Sequence, residues 1–312
     1  MKILILGAGG IGGYFGGRLV ESGADVTFLV RQKRAVQLAR DGLVIESPVG
    51  NAKIEVKTVT AETLEPGYDL VLFTCKAYDL NSAMEAIAPA MVGSCAVLPM
   101  LNGLSHFEKL DARFGAPNVI GGTCMINVTL LSNGVVRHME PLNRIVFGER
   151  DGKESPRTKA FGEVLAKSTI DFTHSKDILQ DLWEKLMFLS CLAATTCLFR
   201  ANVGEIMATP EGQKLVERCF DANVAIATKE GKPPRPKALE AYRARLTDPA
   251  GKGAASMQRD LEAGKPVESD HIVGFMLERA RRHGIDDTVL AIAYTHLKAY
   301  EVRRAAGRLP EP

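Results

Sequence analysis

The chain has 312 residues, 46% hydrophobic and 24% charged, an ordinary globular mixture with enough material for one large core or two medium ones. Its 39 basic and 37 acidic residues leave a net charge of +2, which argues against a nucleic-acid surface or a membrane-bound face. Cys75, Cys95, Cys124, Cys191, Cys197 and Cys219 stand at scattered spacings with no Cys-x-x-Cys pair; they predict buried thiols in a reducing, cytoplasmic setting rather than a zinc site or a disulfide framework.

The opening "MKILILGAGG" has an apolar run too short for an export signal, and glycines break it at once; it reads as a strand buried on both faces of a parallel sheet. Gly7, Gly9 and Gly12 follow as G-x-G-x-x-G, and a helical pattern then sets Ile11, Phe15 and Leu19 on one side. After "SGA" the run "DVTFLV" makes a second strand. A glycine motif between a strand and a helix, with the next strand at this distance, predicts a dinucleotide-binding turn. Gly7 permits the tight turn, Gly9 lets a pyrophosphate approach the backbone, and Gly12 lets helix and strand pack closely. With Gly10 and Ile11 they open a helix whose N-terminal amides are donors for phosphate. Arg31 ends the second strand, where a site for NAD usually carries an acid; an arginine there suits the 2′-phosphate of NADP. Lys33 and Arg34 read as the solvated start of a helix.

"LVIES" and "AKIEVK" read as strands of an inserted meander, and "YDLVLFTCK" as a buried strand ending at Lys76. "NSAMEAIAPAM" is helical, and "SCAVLPMLNG" is a strand ending at Asn102 and Gly103. Arg31, Lys76 and Asn102 thus fall beyond the carboxyl ends of strands, where open α/β sheets bind ligands. Next come a strand, a hairpin turning at Asn133–Gly134 and a final strand. "SPRTKAFGEVLAKS" is a helix with Ser155 as its cap and Pro156 in its first turn, and "IDFTHS" is short and extended. Residues 1–174 are therefore expected to form an α/β, Rossmann-type, doubly wound sheet domain.

Residues 175–312 are expected to form an all-α domain that closes over the cofactor, with the reaction cleft between the two. "DLWEKLMFLSCLAATTC", Asp181–Cys197, is one long apolar helix, with Lys185 just after Trp183, the only tryptophan. No apolar stretch reads as long enough to span a bilayer. "GKPPRPK" is a break, a glycine-rich connection surrounds a short helix from Ser256 to Ala263, two amphipathic helices follow, and the "RLPEP" tail reads as frayed. Lys185 in isolation is a lysine whose stem lies along the helix and whose head reaches water. Beside a reduced dinucleotide it is a proton donor for the oxygen of a carbonyl undergoing reduction, with a pKa that burial lowers toward neutrality. His106, His138, His174, His271, His283 and His296 show no metal-like spacing, so no metal is expected.

The glycine opening, Arg31, "CKAYD", "LNG", "LWEKL", "NVGEI", "SMQRDLEAGKPVESDHIVGF" and "RARRHGI" occur in this order. Together they resemble the ketopantoate reductase (2-dehydropantoate 2-reductase) family over essentially the whole chain. The resemblance implies NADPH-dependent reduction of 2-dehydropantoate to pantoate in pantothenate biosynthesis. It implies Lys185 as general acid, Lys76 and Asn102 on the cofactor or substrate, Ser256 on the substrate carboxylate, and Glu268 beside the nicotinamide and the reacting carbonyl. It implies a small 2-oxo acid as the only ligand besides cofactor, no nucleic-acid or membrane partner, and a monomer or homodimer. Leu189, Ala193 and Val203 depart from the pattern, since they stand where the family's best-studied branch carries asparagines; Asn202 lies one position earlier than the last of these. Thr196, about three turns beyond Lys185 on nearly the same face, is a candidate substrate contact. A same-family reductase of a less polar 2-oxo acid, a β-hydroxyacid dehydrogenase and a non-catalytic NADP-binding sensor are the alternatives.

Overall fold

The computed structural model describes residues 1–309, and the chain divides into two compact units. Residues 1–101 and 106–179 make the first; residues 102–105 and those from 180 onward make the second. The boundary lies at Gln180 rather than at 174/175, and the four-residue loop Asn102–Ser105 belongs with the helical unit. Residues 310–312 of the tail that reads as frayed lie outside the described residues.

In chain order the first unit contains β1 (Lys2–Leu6), α1 (Gly10–Glu21), β2 (Asp25–Leu29), α2 (Gln32–Asp41), β3 (Leu43–Glu46), β4 (Ala52–Ile54), β5 (Lys57–Val59) and β6 (Leu70–Phe73). It continues with α3 (Leu80–Ile87), β7 (Ala96–Pro99), α4 (His106–Phe114), β8 (Gly121–Leu130), β9 (Val136–Gly148), α5 (Pro156–Leu165) and β10 (Asp171–His174). The main sheet has the order β5-β2-β1-β6-β7, and every pair in it is parallel. The chain runs outward from β1 in both directions, so the sheet is doubly wound and its strand order reverses between β1 and β6. Ile3, Leu4 and Ile5 are fully buried, as a central parallel strand demands.

A second sheet has the order β10-β9-β3-β4, with β8 antiparallel to β9. The expected meander is corrected here. "AKIEVK" divides between sheets: Ala52–Ile54 pairs with β3, while Lys57–Val59 pairs with Thr27–Leu29 as the third strand of the main sheet. The β8–β9 hairpin turns at Asn133–Gly134, where Gly134 has φ +88°. Ser155 caps α5 by accepting from the Thr158 amide at 3.2 Å, with Pro156 in the first turn.

The second unit consists of α6 (Ile178–Phe199, begun in the first), α7 (Val203–Met207), α8 (Gly212–Lys229), α9 (Pro236–Leu246), α10 (Ser256–Glu262), α11 (Phe275–His283) and α12 (Thr288–Ala305). Contrary to the sequence reading, α6 is long and apolar enough to cross a membrane, the one such helix among the described residues, yet 78% of its apolar window is buried within the protein. Leu186, Met187, Cys191, Ala194 and Cys197 on this helix are at most 1% exposed. It is the central helix of a core, and an all-round apolar surface is what that position requires.

The polar end of α6 is anchored at the "GKPPRPK" break. Arg235 donates from its backbone amide (2.7 Å) and its side chain (2.6 and 2.8 Å) to Glu184, which is 4% exposed, and its guanidinium also pairs with Asp181. Gln180 adds a bond to Glu184 at 3.1 Å and reaches the Pro233 carbonyl at 2.9 Å. Burial alone would raise the Glu184 pKa, but the Arg235 and Gln180 bonds outweigh it and hold the carboxyl below its ordinary 4.5.

Two predictions follow from this packing. A Cβ on Gly12 would collide with the Gly7 carbonyl oxygen and the Thr74 hydroxyl, whereas one on Gly9 would meet nothing within 4 Å. Gly12→Ala should lose about 1–3 kcal/mol of unfolding free energy in urea titrations, and Gly9→Ala should lose almost none. A depressed carboxylate contributes stability above its unfolded pKa and loses it as pH falls through the folded value. Glu184→Gln should therefore cost about 2 kcal/mol near neutral pH, and the gap from wild type should narrow below about pH 4.

Candidate active site

The glycine turn is built as the motif demands. The Gly7 amide donates to Leu29 O at 2.8 Å, which ties the turn to β2, and Gly7 has φ +88°, a left-handed value that favours glycine. Thr74, just past β6, donates to the Leu6 carbonyl at 2.6 Å and fills the space against Gly12. Gly9 is the N-cap of α1 with no side chain capping it, and the first bond of the helix runs from the Gly13 amide to Gly9 O at 2.9 Å. The amides of Gly10, Ile11 and Gly12 therefore precede the first intrahelical bond, at the positive end of the helix dipole. With open space over Gly9, the turn fits the pyrophosphate of a dinucleotide. The Ile11 side chain packs on the core of the sheet unit, so only its backbone serves such a group.

Arg31 precedes α2 as its N-cap residue, and its side chain is 85% exposed, with the Asp79 carboxylate 3.6 Å away. Asp79 ends a short 3₁₀ turn whose amide bonds back to Lys76 O at 2.9 Å. The carboxyl ends of β2 and β6 therefore bring Arg31 beside the turn that starts at the half-buried Lys76. Arg34 corrects the reading of a solvated helix start. Its guanidinium donates to Ala8 O in the glycine turn (3.0 Å), to Gly134 O at the hairpin tip (3.1 Å) and to Gln37 (2.8 Å). Burial lowers its pKa, and Asp41 opposes the shift. A residue three places past Arg31, on the same helix face, was the only available signal for this brace.

The helical unit gathers the other candidates. Lys185 is half-buried on α6. Two residues earlier Trp183, 9% exposed and core as read, sets its ring 6.1 Å from that of Phe275. Phe275 directly follows a π-bulge, Asp270–Gly274, which the sequence reading took as ordinary helix. Glu268, 8% exposed, lies just before that bulge. α12 holds the bulge from one side: Tyr294 donates to Asp270 at 2.5 Å, Lys298 reaches Asp270 at 3.1 Å, and the Ser269 hydroxyl bonds Glu301. On another side stands the half-buried Asn102, at the start of the Asn102–Ser105 loop. Gly103 there has φ +84°, and a Cβ on it would lie 2.8 Å from His271 O. Ser105 Oγ lies 2.5 Å from His271 Nδ1.

Ser256 is exposed and is the first residue of α10; Ala255 holds the cap position, so the hydroxyl is not spent as the helix cap. Thr196 is corrected. It is 0% exposed; its hydroxyl donates to Leu192 O at 2.6 Å and accepts from the Ala255 amide at 3.3 Å. It helps fix the turn before Ser256, its one proton is spent on Leu192, and no part of it is exposed. Asn202 caps α7, accepting from the Glu205 amide at 2.9 Å in a capping box, while Val203 and Ala193 are 4% and 2% exposed. Leu189 packs against the core of its unit. Among the described residues no cluster of His, Cys, Asp and Glu is arranged to hold a metal ion.

Comparison with known proteins identifies the family. The family model described as ketopantoate reductase PanE/ApbA matches residues 3–152, and its C-terminal companion matches residues 177–301. The chain is 38% identical over 305 residues to the uncharacterized oxidoreductase YkpB of Bacillus subtilis (strain 168), covering 97% of this chain and 100% of that one. The crystal structure of 2-dehydropantoate 2-reductase from Geobacter metallireducens GS-15 superposes with a TM-score of 0.86 at 28% identity, over 96% of this chain and 99% of that one. D-mandelate dehydrogenase with NADH and anilino(oxo)acetate shares the fold, with a TM-score of 0.86 at 22% identity over 98% and 99% of the two chains. With both halves matched and a full-length relative well above 30% identity, the chain belongs to the ketopantoate reductase family of oxidoreductases.

Proposed function

We propose that this protein reduces the ketone of a 2-oxo acid to the 2-hydroxy acid with NADPH, the conversion of 2-dehydropantoate to pantoate being the reaction its family implies. The observation that carries the reading is the half-buried Lys185, on a helix tied through Trp183 to the bulge after Glu268 and through Thr196 to the turn before Ser256. NADPH, when bound, supplies the hydride. The amides at the start of α1 hold its pyrophosphate, the exposed Arg31 pairs with its 2′-phosphate, and Lys76 and Asn102 hold cofactor or substrate. Ser256 binds the substrate carboxylate. Lys185 places its ammonium on the ketone oxygen and gives up a proton as negative charge gathers there, and Glu268 accepts a hydrogen bond from the hydroxyl that forms.

A specific observation favours a second reading of the substrate. Leu189, Ala193 and Val203 offer only hydrocarbon, Thr196 is committed on both sides and Asn202 is a cap. None of them holds a substrate hydroxyl, so a 2-oxo acid with a less polar tail is the natural rival. A site built to bond a hydroxyl discriminates by about 10⁴-fold, and a hydrocarbon wall by far less.

Steady-state assays with NADPH decide between the two. A kcat/KM for 2-dehydropantoate well above that for simple branched 2-oxo acids upholds the pantoate reaction; equal or lower values uphold the rival. A protein that binds NADPH and turns over neither is a sensor. Lys185→Ala should cut kcat by about 10²–10⁴-fold with NADPH affinity little changed, and unchanged turnover would remove the proton-donor role. Arg31→Asp should raise the KM for NADPH far more than that for NADH, measured on the same preparation; equal effects refute the phosphate contact.

A further inference from the structure

We infer that Ser105 and His271 form a positioning pair that fixes the Asn102 loop to the segment carrying Glu268; the inference rests on the reductase reading above. The loop leaves the end of β7 yet belongs to the helical unit, so something in that unit must hold it. Two of its contacts fall on His271. The Gly103 backbone lies so close to His271 O that a Cβ would stand 2.8 Å from it. Ser105 Oγ and His271 Nδ1 share a 2.5 Å hydrogen bond. Leu104, between them, packs on the helical core.

His271 is 9% exposed and sits inside the π-bulge, three residues after Glu268. The Ile272 amide donates to Glu268 O at 3.3 Å, so Glu268 and His271 belong to one turn. The bulge is itself fixed from α12 through Asp270 and Ser269. Asn102 therefore inherits its position from the same rigid turn that carries Glu268. The reach is short: Asn102, three residues to Ser105, one hydrogen bond, His271, three residues back to Glu268. Neither Ser105 nor His271 needs to meet the reacting atoms. Their work is to keep two groups that do so in register, where an error of about 1 Å costs of the order of 10²-fold in rate.

The full chain is tested as wild type, Ser105→Ala, His271→Phe, His271→Asn and the double variant Ser105→Ala/His271→Phe. With NADPH and the best 2-oxo acid, Ser105→Ala and His271→Phe should each lower kcat about tenfold, while the melting temperature stays near wild type. The double variant should be no slower than the slower single, because one bond is cut from either end. His271→Asn, which keeps a polar atom near the place of Nδ1, should recover most of the rate. Losses that multiply in the double variant, or an Asn variant no faster than Phe, overturn the pair. Limited proteolysis gives a readout that needs no turnover: cleavage within 102–105 should speed up in His271→Phe, and an unchanged cleavage rate overturns the tether. If wild type reduces no 2-oxo acid, the reductase reading fails while the cleavage rate still decides the tether. Should His271→Phe not fold, the milder Ser105→Ala carries both measurements, with cleavage at 102–105 again deciding.

Discussion

The helical unit depends on one constraint: α6 is buried along most of its length and must still carry charge. A helix in that position has little free surface on which to correct a misplaced side chain, and three of its residues are tied to specific partners, although the buried Ser190 hydroxyl has none. Glu184 is neutralised by Arg235. Thr196 is spent on Leu192 and on the turn before α10. Trp183 touches the ring that follows the bulge. These ties do more than stabilise. They set the helix's rotation and slide against α9, α10 and α11, and Lys185 takes its place from them. Removing Glu184's charge would leave the half-exposed Arg235 guanidinium to Asp181 and water, so the cost falls on the buried end of the pair, where the side chain of residue 184 has no water to turn to.

The sheet unit obeys a different constraint, one of distance. Helix α1 approaches the end of β1 so closely that Gly12 has no room for a methyl group. That approach points the helix N-terminus at the end of the strands. Gly9, by contrast, faces empty space. The two glycines look alike in the motif and stand in opposite surroundings: one is hemmed in by protein, the other has open space above it. Arg34 stabilises the same turn from outside, through the Ala8 carbonyl.

Much of this was legible in the sequence because it is periodic or local. The buried strands, the strand–turn–helix glycines, the Ser155 cap and the helical second half all announce themselves within a window of a few residues. What was missed depends on partners far along the chain. Lys57–Val59 is three residues long and carries a lysine and a threonine; only its pairing with β2 makes it a strand of the main sheet. Thr196 lies on the expected helix face, but its hydroxyl had two nearer claimants. Asn102 was read as the end of a strand, whereas β7 stops at Pro99 and Asn102 lies in a loop held by a histidine 169 positions later, a contact that no spacing rule predicts. The reading of α6 as Asp181–Cys197 already ran through Glu184 and Lys185; the helix extends beyond it at both ends, to Ile178 and Phe199.

The π-bulge at Asp270–Gly274 has a consequence for how the chain tolerates change. An α-helix advances about 100° per residue, so the one residue that a bulge accommodates resets the phase between the segment before it and the helix after it. Phe275, Met276, Leu277 and Ala280 can face the core of α11 while Glu268 keeps an orientation of its own. The carboxylate's aim and the helix's packing are thereby uncoupled, and each is free to drift over evolutionary time without dragging the other.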